Sequence, residues 1–157
     1  MGMYTEFETN LLLKKDTPID IINMIKCLVG GKENYTGNLT KVYKGNLTEK
    51  DHAFLGNERY DCVLDCNNCS CTNYEKPTFT QTEDGYVLTS NPEFKNWNNV
   101  IDLFLDWIRP YVVKGFLEDG AVGRKKYEEF YTSTYFHLDV IGYNEVTEPE
   151  DDYGYYR

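Results

Sequence analysis

Polar and apolar side chains alternate along several stretches of the chain, and this period of two is typical of β-strands with one buried face. The stretches are residues 4–13, 59–65, 77–81, 86–90 and 133–143. In the last of them, Phe136, Leu138 and Val140 are predicted to share a face. Asp84 and Gly85 separate the third stretch from the fourth, and this pair favours a β-hairpin turn. The pattern therefore predicts a mostly antiparallel sheet.

Two other stretches place apolar residues at the 3.6-residue spacing of an amphipathic helix. Before the first, Thr17 and Pro18 predict an N-cap and a first helical position, and Asp20 is placed to cap the helix in return. The second is predicted to begin at a cap near Asn96 and to end at Pro110. The apolar positions are Ile21, Ile22, Met24, Ile25, Leu28 and Val29 in the first, and Trp97, Val100, Ile101, Phe104, Leu105 and Ile108 in the second, with Leu103 and Trp107 beside them.

The order of these elements predicts an α+β fold with two layers, a mostly antiparallel sheet and two amphipathic helices packed on one face. The 157 residues suit one domain. We expect it to cover residues 1–144, followed by an acidic, tyrosine-rich C-terminal tail over 145–157. Residues 32–58 lack periodicity and predict a long loop, with a hairpin or a short helical turn near 50–55. The chain has 14 tyrosines, which suit a partly wetted sheet face opposite the helices.

The charge of the chain argues against nucleic-acid binding. There are 16 basic and 26 acidic residues, a net charge of −10, whereas binding to phosphates needs a local basic stripe. The densest basic cluster, Arg124, Lys125 and Lys126, is followed by Glu128 and Glu129. We therefore expect no direct contact with nucleic acid, and a protein with a basic surface is the partner that this charge complements.

The cellular location of the protein is predicted from two kinds of segment that the sequence does not show, a membrane span and a signal peptide. No stretch reaches the roughly 18 apolar residues of a membrane span, and the first residues do not resemble a signal peptide. We therefore expect a cytoplasmic protein that does not bind membranes.

Four of the five cysteines, Cys62, Cys66, Cys69 and Cys71, lie within ten residues. Cys66 and Cys69 have the C-x-x-C spacing of a zinc or redox site, and thiolates are suitable zinc ligands. A second such pair or a histidine pair, which tetrahedral zinc sites usually use, is missing from the sequence. A zinc-binding module over residues 62–71 stays an alternative to free thiols. The odd number of cysteines argues against a disulfide framework.

Candidate catalytic residues are few. His52 lies in the loop without periodicity, whereas His137 shares a predicted strand face with Ser133 and Asp139. Side chains two residues apart on a strand stand about 7 Å from one another, so these three do not make a hydrolytic triad. Phosphate-binding glycine motifs are absent from the sequence. We expect no enzyme, no cofactor and no catalytic residue, with a small-molecule enzyme of unknown class as an alternative.

Several short phrases, taken in order, resemble a family of small uncharacterised proteins encoded in bacteriophages, prophages and related bacterial genomes. They are residues 3–7, residues 13–18 before the isoleucine-rich helix, residues 104–112, residues 115–117, Gly123 and residues 127–128. The resemblance covers both predicted helices and most predicted strands, and no site residue is carried over from it. It implies a phage or prophage origin.

The sequence as a whole predicts a non-enzymatic protein that acts through contact. In the phage setting that the resemblance implies, its partner is a host protein, and the chain inhibits or redirects a defence or nucleic-acid-handling factor. An exposed sheet edge or a tyrosine-rich face would also support a homodimer.

Overall fold

The computed structural model describes residues 4–30, 43–65 and 75–149, and within them the chain has an α+β fold, as predicted. An antiparallel sheet of eight strands is accompanied by three α-helices. The strands are β1 (Thr5–Leu13), β2 (Thr78–Thr82), β3 (Gly85–Ser90), β4 (Glu93–Phe94), β5 (Val112–Gly115), β6 (Gly123–Tyr127), β7 (Thr134–Leu138) and β8 (Tyr143–Thr147). The helices are α1 (Ile19–Val29), α2 (Glu49–Leu55) and α3 (Val100–Ile108).

Strand β1 is the centre of the sheet. The strand order is β2-β3-β1-β6-β7-β8, and β4 and β5 also pair with β1. Along β1, Phe7, Leu11 and Leu13 are fully buried and belong to the same hydrophobic core as the apolar stripes of α1 and α3. The ring of Phe7 packs edge-on against that of Phe104, with 6.0 Å between centroids. Burial of this stripe is what positions the central strand against the helices.

The predicted Asp-Gly hairpin is confirmed. Residues 83 and 84 form the loop, and Thr82 pairs with Gly85 across its base. Gly85 has a φ of +142°, and a Cβ atom there would lie 2.0 Å from the carbonyl oxygen of Leu13. Glycine is therefore required at this position by both backbone conformation and space.

The first helix begins differently from the prediction. The Thr17 hydroxyl donates to the Lys14 carbonyl (2.6 Å) and does not cap α1. Asp20 does not cap the helix either, because its carboxylate accepts hydrogen bonds from the backbone N–H groups of Lys44 (2.9 Å) and Gly45 (3.0 Å). These side chains are used to fix the turn after β1 and the chain that leads to α2.

The second predicted helix is shorter than its apolar pattern. Asn98 and Asn99 have left-handed φ values of 50° and 57°, so a 3₁₀ turn precedes α3. The side-chain Oδ1 of Asn96 still accepts from the Ile101 N–H (3.2 Å), near the predicted start. Trp97, which was predicted on the apolar face, is 54% exposed because it lies before this break.

The prediction of a strand over residues 59–65 is wrong. A 3₁₀ turn spans Tyr60–Cys62. Cys62, Val63 and Leu64 are all buried. The turn is closed by the Cys62 N–H, which donates to the Arg59 carbonyl oxygen (3.0 Å), and this i→i+3 bond takes the place of a strand ladder. By contrast, α2 confirms the helical turn predicted near 50–55 within the long loop. The part of that loop before residue 43 lies outside the described residues.

The C-terminal region also differs from the prediction. The single strand predicted over residues 133–143 is a hairpin of β7 and β8. Val140 lies in the turn of this hairpin and is exposed, whereas Phe136, predicted on the same face, is buried. Residues 145–147, which the prediction assigned to the tail, belong to β8 and pair with residues 134–136 of β7. Residues 150–157 of that tail lie outside the described residues.

The strand tyrosines do not occupy the predicted face. Residues directly opposite on paired strands point to the same side of a sheet. Tyr86 is opposite Leu13 and Tyr127 is opposite Thr5, on the side of the buried β1 residues. Tyr143 joins them through its pairing with Leu138. Among the described strands, only Tyr135 lies on the other face, which is mainly threonine and charged residues.

The helices in the described part of the chain are short. The longest, α1, has 11 residues, and none is both long and apolar enough to cross a membrane.

Candidate functional site

The β7–β8 hairpin carries the two most exposed large apolar side chains of the described residues. Val140 is 87% exposed and Ile141 is 93% exposed. We call residues 139–142 the hairpin tip. Apolar side chains presented almost wholly to solvent gain the most from burial against a partner. The tip is therefore the clearest contact feature of the chain.

The hairpin tip is held in place by helix α3 and the turn after it. Arg109 donates from Nε to the Gly142 carbonyl oxygen (3.1 Å) and from Nη2 to the Asp139 carbonyl oxygen. Tyr143 donates its hydroxyl to the Leu105 carbonyl oxygen (2.7 Å). A loop that is already ordered loses less conformational entropy on binding, so this anchoring favours recognition through the tip.

An acidic cleft of about 260 Å³ lies beside the hairpin. Asp102 and Asp106 are one turn apart on α3, and they line the cleft together with Tyr143 and Glu145. Desolvation raises the pKa of Asp102; Lys125 opposes this shift, and the negative charges of Glu145 and Asp106 add to it. Three carboxylates at one place favour a cationic group on a partner.

Lys125 separates the acidic cleft from a larger groove. Its Nζ atom is 3.7 Å from Glu145 Oε1 and 5.4 Å from the centroid of the Phe136 ring. This ammonium offsets part of the acidic charge of the cleft, and Lys125 also lines the groove.

The groove has a volume of about 520 Å³. Tyr127 and Phe130 form an aromatic wall, with their rings edge-on and 5.3 Å between centroids. Thr134 and Thr147 contribute hydroxyl groups that are 2.9 Å apart and bonded to one another. Aromatic and hydroxyl groups together suit an amphipathic side chain or ligand.

Glu148, at the edge of the groove, has a structural role. Its carboxylate accepts from the Ser133 N–H (3.1 Å) and from the Tyr135 hydroxyl (3.2 Å). Burial, followed by hydrogen bonds to Glu118 and Glu148, raises the pKa of Tyr135 to about 12. These bonds fix the open end of the hairpin opposite its tip.

The predicted basic cluster is mostly neutralised within the protein. Arg124 forms ion pairs with Glu6 and with Glu8 (3.0 Å), and it donates to the Ser133 hydroxyl (3.1 Å). Burial would lower the pKa of Arg124, but the hydrogen bonds that Arg124 donates to Glu6 and Glu8 outweigh burial and raise the pKa. Arg124 therefore offers little free charge to a phosphate. The expectation of no nucleic-acid contact stays a prediction.

The cysteine segment is described only in part. Cys62 is buried, with its Sγ 3.5 Å from Asp61 Oδ1, and Cys27 is half-buried in α1. Cys66, Cys69 and Cys71 lie outside the described residues. In the part that is described, no three of the histidine, cysteine, aspartate and glutamate side chains are placed to hold a metal ion. The zinc hypothesis stays a prediction.

The histidines lie apart from one another. His52 is exposed on α2, and His137 lies half-buried on β7, opposite Asn144. The Ser133 hydroxyl accepts from Arg124 (3.1 Å), and the Asp139 carboxylate accepts from the Val140 N–H (2.7 Å). Both side chains therefore have partners within the fold, and the expectation of no catalytic residue stays a prediction.

Sequence reasoning missed a buried polar network around Asp51. Oδ1 accepts from Trp107 Nε1 (2.8 Å) and from the Tyr43 hydroxyl (3.0 Å), and Oδ2 accepts from the Thr48 N–H (2.7 Å) and hydroxyl (2.9 Å). The spacing of Thr48 and Asp51, a capping box, was the available signal. Because this carboxylate is fully bonded, the network stabilises the fold and offers no free group to a ligand.

Comparisons of the chain with protein-family models, with curated proteins and with solved structures found no match. The resemblance to phage-encoded proteins therefore stays a prediction.

Proposed function

We propose that the chain is a non-enzymatic protein-interaction protein that binds a partner with a basic surface through its β7–β8 hairpin. The observation that carries the proposal is the near-complete exposure of Val140 and Ile141 on a tip anchored by Arg109. Burying each side chain would contribute about 1.5–3 kcal/mol to binding. Two rigid apolar anchors of this kind suit a pocket on another protein.

The acidic charge around the hairpin supports a partner with a basic surface. Asp102, Asp106 and Glu145 lie in the cleft beside it, and the chain as a whole has a net charge of −10. Acidic groups around apolar anchors complement a pocket with a basic rim and accelerate the encounter with it. With the resemblance to phage-encoded proteins, we propose that the partner is a cytoplasmic host protein, such as a defence or nucleic-acid-handling factor.

The proposal includes the two-layer arrangement predicted from the sequence. Buried side chains of α1 and α3 share one hydrophobic cluster with the inward residues of β1. Helices packed on one face of the sheet would leave the hairpin, at the edge of that sheet, accessible to the partner.

Capture from a bacterial lysate tests this function. Immobilised protein is expected to retain a discrete partner at low salt and less of it at high salt. Val140→Ser/Ile141→Ser is expected to weaken capture by at least about tenfold, because it removes both anchors. Ile19→Ser, at an aliphatic residue that is 61% exposed on α1, is the matched control and should retain the partner. Absence of a partner at every salt concentration, or equal capture by the double variant, would contradict the proposal.

A further inference from the structure

The outer edge of β8 presents the backbone groups of alternate residues. At the tip, the Asp139 N–H donates to the Gly142 carbonyl (3.0 Å), and at the open end the Glu148 N–H donates to the Ser133 carbonyl (2.9 Å). In an antiparallel pair every second residue bonds to the partner strand, so residues 144 and 146 also bond to β7. The N–H and C=O groups of residues 143, 145 and 147 therefore point outward, where no strand pairs within the described ranges.

The same three residues point their side chains toward the cleft and the groove. Tyr143 and Glu145 line the acidic cleft, and Thr147 lines the groove. Successive same-face residues of a strand are about 7 Å apart. A strand added to this edge would therefore place one side chain beside the cleft and a second, two residues away, beside the groove.

We infer that β8 binds an extended segment of the partner as an added antiparallel strand. In this segment a basic residue lies opposite Glu145, and an aromatic residue two positions earlier lies opposite Thr147. The inference rests on the proposed interaction function and specifies a segment that this function recognises. Main-chain hydrogen bonds supply the general affinity of such strand addition, and the side chains select the sequence.

Charge complementarity selects a basic residue at the first position. Glu145, Asp102 and Asp106 line the cleft, and within residues 4–30, 43–65 and 75–149 Lys125 is the one ammonium that contacts a carboxylate there. A lysine opposite Glu145 adds the missing positive charge. At the second position, an aromatic ring would lie over Thr147 at the mouth of the groove that Tyr127 and Phe130 line.

A second copy of the chain is a poorer occupant of this edge. Glu145 is the central residue of β8, so antiparallel pairing of two β8 strands about a two-fold axis would place Glu145 opposite Glu145 of the other copy. Like charges directly opposite one another destabilise a sheet. The net charge of −10 on each copy adds to this repulsion.

A synthetic peptide tests the inference with the full chain. The probe is a blocked peptide, Thr-Val-Thr-Phe-Thr-Lys-Thr-Val-Thr, with the aromatic and basic residues in the antiparallel order, and binding is measured by fluorescence anisotropy. Exchange of Phe and Lys is expected to weaken binding. Asp102→Asn/Asp106→Asn should weaken it about fivefold, whereas Glu83→Gln/Asp84→Asn, the same change of charge in the β2–β3 turn, should not.

Backbone methylation of the probe distinguishes strand addition from simple charge attraction. N-methylation of its lysine or phenylalanine removes an N–H that bonds to β8, and it is expected to abolish binding. N-methylation of the threonine between them removes an outward N–H and should be tolerated. Equal effects of the two modifications, no binding of the probe, or a dimer whose β8 amides are protected from exchange would overturn the inference.

The outcomes also separate this inference from the proposed function. Val140→Ser/Ile141→Ser is expected to bind the probe normally while it loses the lysate partner, because the tip lies outside the paired residues. Lysate capture that persists while the probe fails to bind would overturn strand addition alone.

Discussion

Asp51 is buried, yet its carboxylate is held in the charged form. Burial alone would raise its pKa, but hydrogen bonds from Thr48, Trp107 and Tyr43 outweigh burial and lower the pKa below the ordinary value. These partners explain why an acid is tolerated beside the aromatic core. Only the contact with Thr48 was accessible from the sequence, because Tyr43 and Trp107 are 8 and 56 residues away and only the tertiary fold brings them together.

Replacement of Asp51 by asparagine is expected to lower the free energy of unfolding by about 1–3 kcal/mol at neutral pH. An amide keeps the size of the carboxyl group, but it has one acceptor oxygen in place of two. Urea unfolding of Asp51→Asn and of the exposed control Asp84→Asn checks this difference. Unfolding of Asp51→Asn at the wild-type urea concentration would contradict it.

Comparison of the wild type with Asp51→Asn also gives the pH dependence of the stability that Asp51 contributes. A carboxyl group whose pKa is lowered in the folded protein stabilises it fully above the unfolded value, about 3.9 for aspartate. The contribution is lost as the pH falls through the lower folded pKa. The stability difference between wild type and Asp51→Asn should therefore be constant above about pH 5 and decrease toward pH 2.

At the scale of elements, regular patterns were predicted well and their interruptions were not. The alternation of β1, the Asp-Gly turn and the periodicity of α1 are local, so the sequence was sufficient for them. The hairpin tip interrupts the predicted strand and is bonded to Arg109, which lies about thirty residues earlier in the chain. The local pattern of apolar residues does not reveal a contact at this distance. Likewise, the aliphatic residues at 140 and 141 continue a strand-like pattern, although the Asp139 N–H bonds to the Gly142 carbonyl and closes a turn around them.

Arg109→Ala is expected to loosen the hairpin tip without unfolding the sheet. The change removes the side-chain donors to the carbonyl oxygens of Asp139 and Gly142. Hydrogen exchange of amides 139–142 should become faster, while that of β1 stays unchanged, because local opening needs no loss of the core. Arg59→Ala, at an exposed arginine near α2, is the control. Unchanged exchange at the tip would show that Arg109 does not hold it.

At the scale of the whole molecule, the acidic charge is arranged unevenly. On one sheet face, Glu6 and Glu8 are paired with Arg124, whereas in the acidic cleft the described residues supply one ion pair, between Lys125 and Glu145. The sign of the total charge follows from composition, but its distribution depends on the β1–β6 register, which sets Glu8 opposite Arg124. The candidate surface could therefore not be located from composition alone.

Site-specific photocrosslinking tests the central claim, contact through the hairpin tip, most directly. A photoreactive phenylalanine derivative is placed at position 141 in one sample and at position 19 in another, and both are irradiated in bacterial lysate. The account predicts a discrete covalent adduct from position 141 and none from position 19. Equal labelling at the two positions, or no adduct from position 141, would contradict it.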